Sequence, residues 1–186
     1  TDDTIAWYEN NGAADPSWTA ADIAISAEGA QDVHVADMDR DGDMDIVWAY
    51  QSNEIRIFKQ EGERHFVLSD HFNESGGPSH LQLIDLNNDG LEDLVINQQF
   101  SDCLARRFKF GDGRFGPSEC ILNQDVYGRV GQLDQDQELE IVANVSGTLT
   151  IYQLDMNGSI LSSQPLSSPP SWGIGDHYVI ADANGD

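Results

Sequence analysis

The sequence predicts an all-β protein assembled from β-propeller-type blades of about four antiparallel strands. Three observations predict it. The segment Asp37-Met38-Asp39-Arg40-Asp41-Gly42-Asp43-Met44-Asp45 recurs 48 residues on as Asp85-Leu86-Asn87-Asn88-Asp89-Gly90-Leu91-Glu92-Asp93. Each copy runs straight into an apolar stretch, Ile46-Val47-Trp48 or Leu94-Val95-Ile96. The remainder reads as short strands broken by glycine turns, with no sustained helical period. About four strands in a repeat of roughly 48 residues is how a propeller blade looks in sequence.

Taken in order, Thr1–Tyr8 reads as the back half of a loop and the strand after it, opening a half-blade over residues 1–31. Three repeats follow, at about 32–79, 80–126 and 127–176, and a second half-blade at 177–186. Within the repeats a second run follows each apolar strand: Glu54–Lys59, Cys103–Phe110 and Thr148–Tyr152. The last alternates cleanly and predicts a half-buried strand. Turns fall at Gly62, Gly111-Asp112-Gly113 and Asn157-Gly158. Residues 162–171, rich in Ser and Pro, read as a loop.

The third repeat keeps the hydrophobic frame without a gap, Val130–Val142 overlaying Val35–Val47. Its polar positions differ. Gln132 stands where the first Asp would be and Gln137 where the glycine would be, while Asp134, Asp136 and Glu140 remain. In the fourth copy Ile180-Ala181-Asp182 overlays Val35-Ala36-Asp37, and Asp182, Asn184 and Asp186 fall at loop positions one, three and five. Joined on paper to Asp186, Thr1–Thr4 supplies positions six to nine, and Ile5-Ala6-Trp7 then overlays Ile46-Val47-Trp48. The two ends therefore complement each other in sequence. Head-to-tail joining between copies through the two half-blades, which would build a filament if it does not close into a ring, is the favoured reading; closure within one chain and excision from a longer array are the alternatives.

Carboxylates at every second position repel one another unless a cation sits among them. Hard oxygen donors around a turn glycine are what Ca²⁺ requires. An EF-hand is rejected, because its twelfth position needs a bidentate Glu and here carries Trp48 or Ile96. Solvated acidic turns holding no ion are the alternative. Loop three is expected to bind Ca²⁺ weakly or not at all, with its turn held by hydrogen bonds.

Composition narrows the function. The 186 residues include 33 acidic and 9 basic ones, a formal net charge of −24. That balance argues against nucleic acid and anionic membrane surfaces as partners. No run of 18 apolar residues is present, so no helical membrane span is expected. The chain opens on Thr1-Asp2-Asp3 without a signal-peptide pattern and reads as a mature or excised piece. Calcium loops of the millimolar class point outside the cell. Cys103 and Cys120 flank the Gly111-Asp112-Gly113 turn, so a hairpin places them close enough for a disulfide in an oxidising compartment; two separate buried thiols are the alternative.

Asp-x-Asp/Asn-x-Asp-Gly-x-x-Asp between strands, at this period, resembles the FG-GAP/VCBS repeats of integrin α-subunit propellers and secreted bacterial proteins. Ile5-Ala6-Trp7-Tyr8-Glu9-Asn10-Asn11-Gly12 is similar to the strand and turn that follow such loops. The resemblance implies Ca²⁺ held by side chains at positions one, three, five and nine and by the carbonyl at seven. In loop one these are Asp37, Asp39, Asp41, Asp45 and the carbonyl of Asp43. In loop two they are Asp85, Asn87, Asp89, Asp93 and the carbonyl of Leu91. Family propellers carry about seven blades, against three full repeats and two halves here.

No phosphate loop, nucleophile elbow or zinc motif is found, and His80 and His177 sit at a variable strand-start position. The expected function is therefore non-enzymatic: an extracellular calcium-binding module with a structural or adhesive role. Its expected partners are other copies of itself or other extracellular proteins. The alternative is a piece of a larger carbohydrate-binding or polysaccharide-degrading propeller, with Trp7, Trp18, Trp48 or Trp172 stacking on sugars. Trp7 and Trp48 are repeat-equivalent and expected in the core. Three sequons, at Asn73, Asn144 and Asn157, are candidate glycosylation sites.

Overall fold

The computed structural model describes residues 4–24, 27, 29–50, 52–62, 65–124, 126–134 and 136–166. Among these it holds fourteen strands and no helix. The chain divides into two compact units, Thr1–Ser79 and His80–Asp186. The fourth half-loop (Asp182, Asn184, Asp186), residues 1–3, Trp172 and His177 lie outside the described residues.

In the first unit β1 (Ile5–Asn10) and β2 (Trp18–Ala24) form a two-stranded antiparallel sheet. The loop between them is tied by Asn11, whose Oδ1 accepts the Ala13 and Ser17 N–H groups at 3.1 and 3.2 Å. A four-stranded meander follows: β3 (Ala30–Ala36), β4 (Asp45–Tyr50), β5 (Glu54–Gln60) and β6 (Phe66–Asn73), in that order across the sheet. β4 is an interior strand covered on both faces, which is why its sequence is apolar throughout rather than alternating. Ile46, Trp48 and Tyr50 pack with Ile5 and Ile23 of the hairpin and with Phe58 and Phe66. The Trp48 and Phe58 rings stack at 4.3 Å. Trp48 is fully buried and its repeat equivalent Trp7 partly so.

Two more meanders follow. β7 (Pro78–Ile84), β8 (Asp93–Gln98), β9 (Leu104–Arg107) and β10 (Glu119–Leu122) make one. β11 (Val126–Gly131), β12 (Glu140–Val145), β13 (Thr148–Leu154) and β14 (Ile160–Pro165) make the other. Their facing sides share a core of Leu86, Val95, Leu104, Val130, Ile141 and Leu154, among others. β13 alternates as its sequence predicts, burying Thr150, Tyr152 and Leu154. β14 corrects the sequence reading, which had residues 162–171 as a loop: residues 162–165 are strand, paired with β13. It is an exposed edge strand, so it needs no apolar face, and Pro165 is tolerated at its end.

Two buried or half-buried amides join these sheets. β11 is an edge strand, and its backbone is read by side chains of the neighbouring sheet. Asn97 Oδ1 accepts the Gly128 N–H at 2.8 Å, and Asn97 Nδ2 donates to the Gly128 carbonyl at 3.0 Å. Gln82 makes the same pair of bonds to Val130. A Cβ at Gly128 would stand 2.7 Å from Leu104 Cδ2, so any side chain there would displace the buried Leu104. Capping edge-strand groups in this way blocks stray strand pairing and holds β11 at the entrance to loop three.

Candidate metal centre

Each acidic loop connects the first and second strands of a four-stranded sheet: β3 to β4, β7 to β8, and β11 to β12. The construction is common. The carboxylate at position nine opens the second strand and is 0% exposed for Asp45 and Asp93 and 4% for Glu140. It reaches back to the backbone N–H at position two: Asp45 to Met38 at 2.9 Å, Asp93 to Leu86 at 2.9 Å, Glu140 to Leu133 at 2.8 Å. In loops one and two its second oxygen also accepts a backbone N–H, from Gln60 at the end of the third strand at 2.9 Å and from Lys109, two residues past the third strand, at 2.8 Å. Met38 and Leu86 at position two plug into the protein, 5% and 3% exposed. The loop is therefore stapled at both ends.

The turn itself needs unusual backbone. Arg40 and Gly42 in loop one, and Asn88 and Gly90 in loop two, have φ of 64°, 96°, 58° and 81°. No atom lies within 4 Å of a Cβ built on Gly42, so its conformation and not its space demands glycine. Side chains then cap successive amides. Asp37 Oδ2 accepts the Gly42 N–H at 3.1 Å, and Asp41 Oδ1 the Asp43 N–H at 2.8 Å. Asp85 Oδ2 accepts Gly90 N–H at 2.7 Å, and Asp89 Oδ1 accepts Leu91 N–H at 2.8 Å.

What remains is a set of oxygens facing one another. Asp37, Asp39 and Asp45 bring ligand oxygens within 4.8 Å of one another, and so do Asp134, Asp136 and Glu140. Two carboxylates at about 4 Å repel by roughly 1 to 4 kcal/mol, depending on screening. Asp37 Oδ1 is sealed from solvent and has no hydrogen-bond partner. A divalent cation would supply that oxygen's missing partner, and hard carboxylate donors suit Ca²⁺. Loop one thus fits the ion its sequence implies. In loop two Asn87 replaces the second aspartate, and its amide donates to Asp89 Oδ2 at 3.0 Å, engaging an oxygen of the set.

Burial raises the pKa of Asp45, Asp93 and Glu140 above the ordinary carboxylate value. The backbone N–H bonds oppose this, and neighbouring carboxylates add to it. Asp39 is held lower, chiefly by Lys59, whose Nζ stands 2.9 Å from Asp39 Oδ2. Sequence reasoning missed Lys59. Twenty residues of chain separate the two, and only the β4–β5 pairing brings the lysine to the loop.

Elsewhere, Cys103 and Cys120 form a disulfide with Cα atoms 5.8 Å apart. Asn73 ends β6 and Asn157 lies in a turn, both exposed. Asn144 lies in interior strand β12, opposite Tyr127 and Leu149.

Two crystal structures of BBS1N in complex with ARL6DN, one soaked with lead and one with mercury, are similar to this chain at 16% and 14% identity. Each has a TM-score of 0.48; the match covers 70% and 75% of this chain and 42% and 45% of theirs. The chain thus spans less than half the length of those structures. Among curated proteins none matches. The FG-GAP-like repeat model matches residues 1–48 and 37–96, so together residues 1–96 of the 186. With over half its length matched, the chain belongs to the FG-GAP-like repeat family.

Proposed function

We propose that this FG-GAP-like repeat protein is an extracellular calcium-binding module whose role is structural or adhesive and not enzymatic. The observation that carries the reading is loop one: three carboxylates converge there and the buried Asp37 Oδ1 lacks a partner. In this reading Asp37, Asp39, Asp41, Asp45 and the Asp43 carbonyl hold one ion, and Asp85, Asn87, Asp89, Asp93 and the Leu91 carbonyl a second. The ion neutralises the carboxylates and fixes the first two strands of each sheet relative to each other. The acidic balance, the disulfide and the weak-affinity class of such loops favour a site outside the cell. Partners are other copies of the chain or other extracellular proteins.

A cation that binds only the folded state stabilises it by mass action. Thermal melts with Ca²⁺ and with EDTA test this. The melting temperature should fall on chelation, and Asp41→Ala should lower it in Ca²⁺ buffer. An identical melt under chelation would refute the reading.

One observation favours the glycan-binding alternative. Tyr8 and Trp18 are 62% and 59% exposed. They share a face of the β1–β2 sheet, because Trp18 pairs with Asn10, two residues from Tyr8. Exposed rings on one face can stack on sugars. Glycan-array binding lost in Trp18→Ala, with the calcium response intact, would favour it.

A further inference from the structure

We propose that the face shared by the first strands β7 and β11 carries a small-molecule site for a cyclic monocarboxylate: Arg129 takes the carboxylate, and Tyr127 and His80 pack on the ring beside it. The site is independent of the calcium loops. It is built at the positions three and five residues before each loop. These hold His34 and Asp32 before loop one, Gln82 and His80 before loop two, and Arg129 and Tyr127 before loop three. In the first repeat the pair closes on itself, His34 Nε2 standing 3.2 Å from Asp32 Oδ2. The repeats thus keep the strand and change its chemistry.

Tyr127 and Arg129 alternate with the buried Val126, Gly128 and Val130, so both lie on the half-buried face of β11. The His80 and Tyr127 rings meet edge to face at 4.9 Å. Arg129 Nη2 donates to the Tyr127 hydroxyl oxygen at 3.1 Å, and Nη1 donates to the Leu81 carbonyl at 3.3 Å. Of the guanidinium's N–H donors these bonds use two, and the rest of the fork stays available. Both acceptors are uncharged, and among the described residues no carboxylate pairs with Arg129. Arg56, Lys59, Arg106 and Arg114, by contrast, each stand 2.6–3.1 Å from a carboxylate oxygen. In a chain with 33 acidic residues against 9 basic ones, a half-buried guanidinium held on neutral groups is an exception. A charge partly withdrawn from water gains from an anion beside it.

The geometry sets the class of anion. A guanidinium fork fits a planar carboxylate in bidentate fashion. Gln82 and Asn97 fix the β11 backbone on either side of Arg129, at Val130 and Gly128, so the fork is held in place before a ligand arrives. The Tyr127 and His80 rings offer an apolar wall for a ring attached to the carboxylate. A net charge of −24 repels a polyanion, which selects a ligand with a single carboxylate. An aromatic acid and a uronic acid share this chemistry.

NMR titration of the whole 186-residue chain, isotope-labelled, with benzoate and in parallel with glucuronate tests this. Amide shifts should concentrate at residues 80–82 and 127–130, with a dissociation constant on the order of 1 mM for so small a ligand. Binding of either acid there supports the proposal, and the tighter of the two names the ring. Benzamide and glucose keep the rings without the charge and should bind about tenfold more weakly or worse. Arg129→Gln should weaken both acids by about tenfold or more. Arg129→Lys keeps the charge without the fork and should weaken them by less. Melting curves check that each variant folds; if Arg129→Gln does not, the comparison with benzamide and glucose on the wild-type chain decides. No shifts at these residues up to roughly 20 mM of either acid would overturn the proposal. So would benzamide binding as tightly as benzoate, or a folded Arg129→Gln that binds both acids as wild type does.

Discussion

Loops one and three occupy the same place in their sheets and are held differently. In loop one Asp37 caps the Gly42 amide with one oxygen and leaves the other buried without a partner. The chain passes through left-handed backbone at Arg40 and Gly42. In loop three Gln132 both accepts and donates, bonding two loop carbonyls through its amide. Among the described residues Gln137, at the glycine position, is not among those with positive φ. Asp45 accepts two backbone N–H groups, whereas Glu140 accepts one. The comparison separates two jobs that the motif merges. Position nine is a staple between strands as well as a candidate ligand. Position one is where an amide N–H can stand in for a cation.

The largest effect should come from the staple. Asp45→Ala removes the acceptor of two backbone N–H groups at a fully buried site and should destabilise the fold by about 2–5 kcal/mol. Glu140→Ala removes one and should destabilise it by about 1–3 kcal/mol. Denaturant unfolding in EDTA isolates this from ion binding. Equal losses would break the comparison.

Asn97→Ala should act at a distance within the second unit. It deletes both bonds to Gly128 and should destabilise by about 1–3 kcal/mol. By loosening β11 it should lower the protection of amides in the second unit and leave those of the first unit unaltered. Hydrogen exchange read by NMR checks this, and an equal loss of protection in β4 would contradict it.

Acid should give the smallest and most graded effect. The folded-state pKa values of Asp45 and Asp93 are raised above 3.8, and that of Glu140 above 4.5. In the ion-free protein the folded state then takes up protons before the unfolded chain does. Their ionisation is less favourable in the folded state than in the unfolded chain, and that cost lifts as pH falls through the raised values. In the calcium reading, affinity for the ion weakens over the same window, because protons compete for the ligands. The gap in melting temperature between Ca²⁺ and EDTA should therefore shrink on acidification, starting above the ordinary carboxylate range. A constant gap down to pH 3.8 would contradict this.

Much of this was legible in the sequence. The loops, the interior apolar strands β4 and β8, and the alternation of β13 follow from local pattern alone. β14 was not, because an exposed edge strand of Ser and Gln carries no apolar period. The roles of Gln82 and Asn97 were hidden for a different reason: polar residues in strands reveal their partners only when a second sheet is packed against them. Loop three was legible only in part. Counting ligands by position discards Gln132 and Gln137, while three carboxylates still meet through backbone bonds that no residue type encodes.

The most direct measurement is a crystal structure grown in Ca²⁺, with anomalous difference density read at loop one. The expected result is an ion about 2.3–2.6 Å from the Asp37, Asp39 and Asp41 carboxylates, with Asp37 Oδ1 among its ligands. Full Ca²⁺ in the crystal, no density at the loop, and Asp37 Oδ1 satisfied by a water or a shifted amide would contradict the account.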